Sequence, residues 1–197
     1  MTDNTSFTKP IRDTPGPISQ TLEVPTGMEV ATFGGGCFWG IEHIFRKYFT
    51  NKGLLDARVG YTGGNNASPS YKEVKSSTTN HAEVVQILFD PSQVSFETLT
   101  DFFFRIHDPT TLNKQGDEDI GTQYRSVIFI HGDKQMRTAL DTKARMQTEF
   151  YPNNTIVTLI EPIKIFWDAE TYHQLYLDKN PMADTCPTHF LRTTPKK

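Results

Sequence analysis

The stretch Phe33-Gly34-Gly35-Gly36-Cys37-Phe38-Trp39-Gly40 constrains the fold more than any other part of the chain. Three consecutive glycines tolerate positive φ, so the backbone can turn sharply there and let a ligand or another segment approach closely. Residues 29–33 before them predict a short strand. After them Phe38, Ile41, Phe45 and Tyr48 recur at helical spacing, so a helix begins near Cys37. A strand that turns through glycines into a helix puts Cys37 at the helix N-terminus. Free N–H groups and the helix dipole there favour a thiolate and lower the cysteine pKa. A free cysteine also serves as a small buried hydrophobe, and on this stretch alone both readings stand. Phe38 and Trp39 either pack in the core or wall an apolar pocket beside the thiol.

Residues 54–61 predict a second strand, followed by a loop through Gly63, Gly64, Asn65, Asn66 and Pro69, with Tyr71 in a further loop. Residues 82–89 predict a third strand. Ser95 has the side chain to cap a helix carrying Phe96, Leu99, Phe103 and Ile106. A polar loop over 108–121 leads to a strand over 124–130, a surface helix over 133–150 and a β-branched strand over 155–160. A short helix over 168–177 would have Asp168 as its cap. Strand, helix, strand, strand, helix, strand is the order of a split βαβ unit. The expected fold class is therefore an α/β (α+β) two-layer sandwich, ferredoxin-like, with extra C-terminal elements. Residues 1–27 carry Pro10, Pro15, Pro17 and Pro25 among polar residues and read as a flexible arm. Residues 28–197 read as a single domain whose tail becomes irregular from about 180.

Composition removes several functions. Against 20 Lys and Arg stand 23 Asp and Glu, a net charge of −3 with no basic block. Neither nucleic acid nor an anionic membrane is then an expected partner. No apolar run approaches the roughly 20 residues of a membrane span, and polar residues 1–20 offer no signal-peptide core. A cytoplasmic monomer is the expectation. Fourteen Phe predict an aromatic-rich core. The two cysteines, Cys37 and Cys186, are too few for a disulfide scaffold or a four-cysteine zinc site. Asp117-Glu118-Asp119 lacks the spacing of a calcium loop, so no metal is expected.

Within 82–89, Glu83 shares a face with Val85, Ile87 and Phe89, while Val84, Gln86 and Leu88 take the other. A carboxyl on an apolar face is desolvated, so its pKa rises and it can stay protonated and act as a general acid. A Glu83 at the strand mouth, in solvent, would do neither, and parity alone does not decide. Asp119 and Tyr124 flank Gly121-Thr122-Gln123 at a loop-to-strand junction, where site residues gather. Taken alone, surface solvation of Asp119 and packing of Tyr71 and Tyr124 are the expected readings. His43 and His107 are candidate bases or local hydrogen-bond partners. Cys186, in Cys186-Pro187-Thr188-His189, is either an idle thiol or one suited to resolve an oxidised partner.

Gly34-Gly35-Gly36-Cys37-Phe38-Trp39-Gly40 resembles the signature of the A-type peptide methionine sulfoxide reductases. Val59-Gly60-Tyr61-Thr62-Gly63-Gly64, Tyr71-Lys72-Glu73-Val74 and His81-Ala82-Glu83-Val84 follow in that family's order. So do His107-Asp108-Pro109-Thr110, Gly121-Thr122-Gln123-Tyr124-Arg125-Ser126 and Tyr172-His173-Gln174-Leu175-Tyr176-Leu177. The resemblance implies that Cys37 attacks the sulfoxide sulfur and Glu83 donates a proton to its oxygen. Tyr71 and Tyr124 would hydrogen-bond that oxygen, Asp119 would order a water, and Phe38 and Trp39 would hold the substrate methyl. It implies a Cys37 sulfenic acid that Cys186 converts to a disulfide, with thioredoxin as reductant and no bound cofactor. The implied substrates are the S epimer of methionine sulfoxide, free or in oxidised proteins and peptides. Two departures stand out. Ser76-Ser77-Thr78-Thr79-Asn80 replaces the family's Gly/Asp-rich turn, and a single tail cysteine replaces two, which predicts a two-cysteine cycle.

Three other readings compete. A thiol peroxidase would share Cys37 and Cys186 without needing an aromatic pocket or a neutral carboxyl. A cysteine hydrolase would want a histidine paired to the thiol. A module that binds oxidised peptides would leave Cys37 inert.

Overall fold

The computed structural model describes residues 16–195. Strand β1 (Glu29–Gly35) runs into helix α1 (Phe38–Phe49) and then β2 (Leu54–Thr62). After α2 (Tyr71–Lys75) come β3 (Ala82–Phe89) and α3 (Phe96–Ile106). A hairpin of β4 (Lys114–Gln115) and β5 (Asp119–Ile120) and a 3-10 turn (Thr122–Tyr124) precede β6 (Ser126–Ile130) and α4 (Asp133–Glu149). Strands β7 (Leu159–Pro162) and β8 (Trp167–Asp168) and a short α5 (Tyr176–Lys179) complete the order.

Six strands form one sheet in the order β7-β6-β1-β3-β2-β8. β3 lies between β1 and β2, antiparallel to both, and β6 is antiparallel to β1. This is the split βαβ arrangement that the element order predicts. β7 extends the sheet in parallel beside β6, and β8 closes the other edge against β2.

Register places Phe33 opposite Val85 and Val85 opposite Val59, so these side chains share one face. Helices α1 and α3 cover that face, and the aromatic excess is spent there. Phe33 packs within 5.4 Å of Phe45 and 4.9 Å of Phe103, ring centre to ring centre. Offset aromatic pairs at such spacing bury large areas and fix the helices against the sheet. As expected, the Ser95 hydroxyl caps α3, accepting from Thr98 N at 3.0 Å.

The opposite face is not left to water. Gln86 projects from it and binds the segment leading into β1, donating from Nε2 to Pro17 O (2.9 Å) and accepting from Ser19 N (2.7 Å). Leu22 packs there with Val30 and Leu88. Residues 16–24, read above as part of an arm, thus lie against the sheet, whereas 1–15 fall outside the described residues.

Three local expectations differ. The strand expected over 155–160 is confined to Leu159–Pro162. Before it, Ile156 N donates to Gln147 Oε1 and Val157 N to Pro109 O, so those amides serve loops rather than the sheet. The helix expected over 168–177 is reduced to Tyr176–Lys179. Asp168 has the chemistry of a helix cap, but it stands in β8 and its carboxylate accepts from Gln20 N (3.0 Å) and the Ser19 hydroxyl. Leu175, at φ 57°, then interrupts any helical run through it. Tyr71, expected in a loop, opens α2. Ser70 and Glu73 form a reciprocal capping box there.

Candidate active site

Cys37 is the N-cap of α1, directly after the glycine turn. Gly36 holds φ 97°, and a Cβ on it would come within 2.6 Å of the Gln115 side chain. Only glycine permits both the left-handed backbone and the close approach of the β4 hairpin.

Sequence reasoning expected the helix terminus to lower the Cys37 pKa, and the structure reverses this. Burial pushes the thiol well above its ordinary value, the Glu83 charge adds to the rise, and the Trp39 amide opposes both only in part. In a low-dielectric setting the desolvation of a thiolate outweighs one favourable amide. The free site holds a neutral thiol.

Glu83 does face the core. It is 1% exposed on β3, opposite Tyr61. Its Oε2 accepts a hydrogen bond from Phe38 N at 3.2 Å, which ties the carboxyl to the residue beside Cys37. Burial, helped by nearby Asp119, raises its pKa to about 8 against the pull of that amide. A carboxylic acid kept neutral at pH 7 can donate a proton.

Tyr71 and Tyr124 gather around the same group. Burial holds both phenols above their usual range, the Glu83 charge is the next cause for each, and Cys37 acts on both. Tyr71 N also donates to Glu170 Oε1 at 2.9 Å, and Tyr61 OH to Glu170 Oε2 at 2.9 Å.

Asp119, which the residue pattern alone places in solvent, is half-buried. Burial raises its pKa, while hydrogen bonds from the Cys186 thiol and the Cys37 amide counter the rise. It therefore touches both cysteine segments. Cys37, Trp39, Asp119 and Cys186 line one cavity of about 220 Å³. Both cysteines are free thiols, and burial raises the pKa of Cys186 as well.

The aromatic wall is braced by a histidine that sequence reasoning quoted but gave no role. Trp39 Nε1 donates to His173 Nδ1 at 2.9 Å, and the indole stacks on Tyr176 at 3.7 Å and 11°. His173 is buried, 5.1 Å from the Phe38 ring and 4.5 Å from Tyr71. Accepting at Nδ1 fixes its proton on Nε2.

The two candidate bases are elsewhere engaged. His43 pairs with Asp178 at 2.9 Å on the surface. His107 is buried, donating to Phe103 O and accepting from Ser126 Oγ, both at 2.7 Å, and burial pushes its pKa down to about 3. A cysteine hydrolase would need a histidine on the thiol, and neither serves.

Fold and site together define a chain that sets a buried thiol beside a carboxyl kept neutral by burial, with a second thiol lining the same cavity. The family model of peptide methionine sulfoxide reductase matches residues 29–197. A probable peptide methionine sulfoxide reductase of Schizosaccharomyces pombe is 49% identical over 166 residues, 84% of this chain and 97% of that protein. The peptide methionine sulfoxide reductase of Saccharomyces cerevisiae is 48% identical over 182 residues, 89% of this chain and 97% of its own. The crystal structure of Mxr1 from Saccharomyces cerevisiae in reduced form superposes with a TM-score of 0.84 at 47% identity, covering 89% of this chain and 98% of that one. A structure of Mxr1 in complex with Trx2 aligns with a TM-score of 0.63 at 35% identity, over 89% and 99% of the two chains. The chain belongs to the peptide methionine sulfoxide reductase family, whose members are oxidoreductases.

Proposed function

We propose that this protein reduces the S epimer of methionine sulfoxide, free or within oxidised proteins and peptides, to methionine. The observation that carries the reading is the joining of a neutral carboxyl to the thiol segment: Glu83 Oε2 holds the amide of Phe38, one residue past Cys37.

Sulfoxide oxygen leaves poorly until it is protonated. Cys37 Sγ bonds to the substrate sulfur while Glu83 gives a proton to the oxygen, with Tyr71 and Tyr124 donating hydrogen bonds to it. The S–O bond breaks and the oxygen passes to the Cys37 sulfur, the bond between the two sulfurs breaks to release methionine, and Glu83 regains a proton from the thiol. Thiol and sulfoxide become sulfenic acid and thioether, with no net gain or loss of protons. Asp119 orders water on the polar side, and Phe38 and Trp39 hold the methyl group, which sets the epimer. Cys186 then attacks the Cys37 sulfenic acid, releasing water and forming a disulfide. Thioredoxin's dithiol exchanges with that disulfide and restores both thiols. The Mxr1 complex with Trx2 supports this choice of reductant.

The same reading covers the organisation of the chain. Residues 28–197 act as a single domain and as a monomer, repairing oxidative damage in the cytoplasm, where thiols such as Cys37 and Cys186 are kept reduced.

The test follows each methionine sulfoxide epimer separately with thioredoxin, thioredoxin reductase and NADPH, beside Cys37→Ser. NADPH loss with the S epimer alone, abolished in Cys37→Ser, is the expected result. Consumption of peroxide with neither epimer reduced would replace the reading with a thiol peroxidase.

A further inference from the structure

Cys186 sits in a segment, 180–195, that forms neither helix nor strand, yet its thiol lines the cavity that holds Cys37. A loose tail would spend little time in that place. The chain entropy of docking it has to be met by specific contacts.

His189 supplies a contact that reaches the nucleophile's own turn. Its Nε2 donates to Gly35 O at 2.8 Å, two residues before Cys37. Its backbone N donates to Cys186 O at 3.0 Å. One residue thus links the carbonyl of the resolving cysteine to the glycine turn that carries the other. Donation from Nε2 leaves Nδ1 as a bare acceptor, and that atom is buried without a hydrogen-bond partner. A buried unpaired nitrogen is unfavourable. Its persistence points to a ring held there by position rather than by satisfaction of both nitrogens.

The seat for that ring is made by α1. A Cβ added at Gly40 would lie 2.2 Å from His189 Nδ1 and 3.1 Å from its Cγ. Glycine is otherwise a poor helical residue, and Gly40 has an ordinary helical φ, so the backbone does not require it. The ring requires it. Thr188, next in the chain, adds a hydroxyl bond to Gln115 Oε1 at 3.0 Å, which fixes the tail on the hairpin side as well.

We propose that His189 is a positioning residue that holds Cys186 beside Cys37, and that Gly40 provides the space for its ring. The inference rests on Cys186 being the resolving thiol. His189 acts after the oxygen has moved to Cys37: it speeds the step in which Cys37–SOH and Cys186–SH become a disulfide and water. It takes no part in forming the sulfenic acid.

Single-turnover mixing with excess methionine S-sulfoxide, without thioredoxin, separates the two steps. Methionine released per enzyme reports the first, and disulfide formation by alkylation and mass spectrometry reports the second. His189→Ala is expected to release methionine at the wild-type rate and to close the disulfide at least about tenfold more slowly, the loss of a held reactant. His189→Gln, whose amide can donate to Gly35 O, is expected to recover much of the rate. Gly40→Ala, ordinarily favourable in a helix, should match His189→Ala. Disulfide closure in His189→Ala at the wild-type rate or faster would overturn the proposal. So would a glutamine variant no better than alanine, or a loss of methionine release in His189→Ala. A wild-type enzyme that releases no methionine would instead remove the reading beneath it.

Discussion

Cys37 and Cys186 face one cavity from supports of opposite kinds. Cys37 is set between β1 and α1, elements that the Phe33–Phe45–Phe103 stack packs together, with the buried Glu83 carboxyl bonded to the next residue's amide. Its neighbours belong to strands and helices whose backbone bonds are mutually reinforcing. Cys186 hangs on an irregular tail, held by side-chain contacts such as its sulfur against Thr188 Oγ1 at 3.3 Å and His189 on Gly35 O. The contrast suits the two tasks proposed for them. A nucleophile and its acid must meet a small substrate in one fixed geometry. A resolving thiol must arrive, form a bond and then present that bond to another protein, which a rigid element would hinder.

Substituting Cys186 tests the contrast most severely. Cys186→Ser is expected to release one methionine per enzyme at the wild-type rate and then stop, with thioredoxin-driven turnover lost entirely. A small dithiol able to reduce the sulfenic acid should restore turnover. Quantifying methionine against enzyme in the first seconds checks both parts. If the first methionine were also lost, the two halves would not be separable and the comparison would fall.

The converse change acts on the Cys37 half alone. Glu83→Gln should slow the first methionine by about 10²–10⁴-fold, the usual scale for a lost general acid, while disulfide closure proceeds unchanged once sulfenic acid exists. In the wild type the first step should fall as pH rises through about 8, where Glu83 ionises, and the glutamine variant should lack that limb. Stability also falls with rising pH, over a lower range. The folded carboxyl keeps its proton to about 8 while the unfolded one releases it near 4.5. The contribution is therefore fully present below about 4.5 and is lost as pH climbs toward 8. At pH 7 the isosteric glutamine should be more stable by about 3 kcal/mol, and at pH 4 it should not. Denaturant titrations at the two pH values read the difference.

Much of the Cys37 half was legible because its logic is local. Strand parity put Glu83 with Val85, Ile87 and Phe89, and the sheet buries all four on one face. Ser95 capped α3 where its side chain and the following apolar spacing said it would. The α2 cap is local as well, since Ser70 and Glu73 have the spacing of a capping box. What escaped depended on tertiary packing. The Cys37 pKa follows burial rather than helix position, and burial is not written in neighbouring residues. Asp168 looked like a cap but was already engaged by Ser19 and Gln20, almost 150 positions away. His189 and Gly40 meet across a similar gap, with no pattern nearby to announce it.

Trp39 offers the smallest and sharpest test, because it lines the cavity that both cysteines share. Yet its fixed contacts run to His173 and Tyr176, away from the tail. Trp39→Phe keeps an aromatic surface for the substrate methyl but removes the 2.9 Å bond to His173 Nδ1. His173 Nε2 has no hydrogen bond, only the Glu170 carboxylate 3.9 Å away, so the variant leaves a buried imidazole with no hydrogen bond at either ring nitrogen. A loss on the order of 1 kcal/mol in how firmly the wall is held should raise KM for free methionine S-sulfoxide roughly fivefold. kcat should stay within about twofold when disulfide closure governs it, because Cys186 and its tail contacts are untouched. The decisive reading is the ratio of the two steps in a single turnover. A slower first step with unchanged disulfide closure keeps Trp39 in the substrate half. Equal slowing of both would mean that the indole also seats the tail, and the line between the two cysteine supports would have to be redrawn through Trp39 itself.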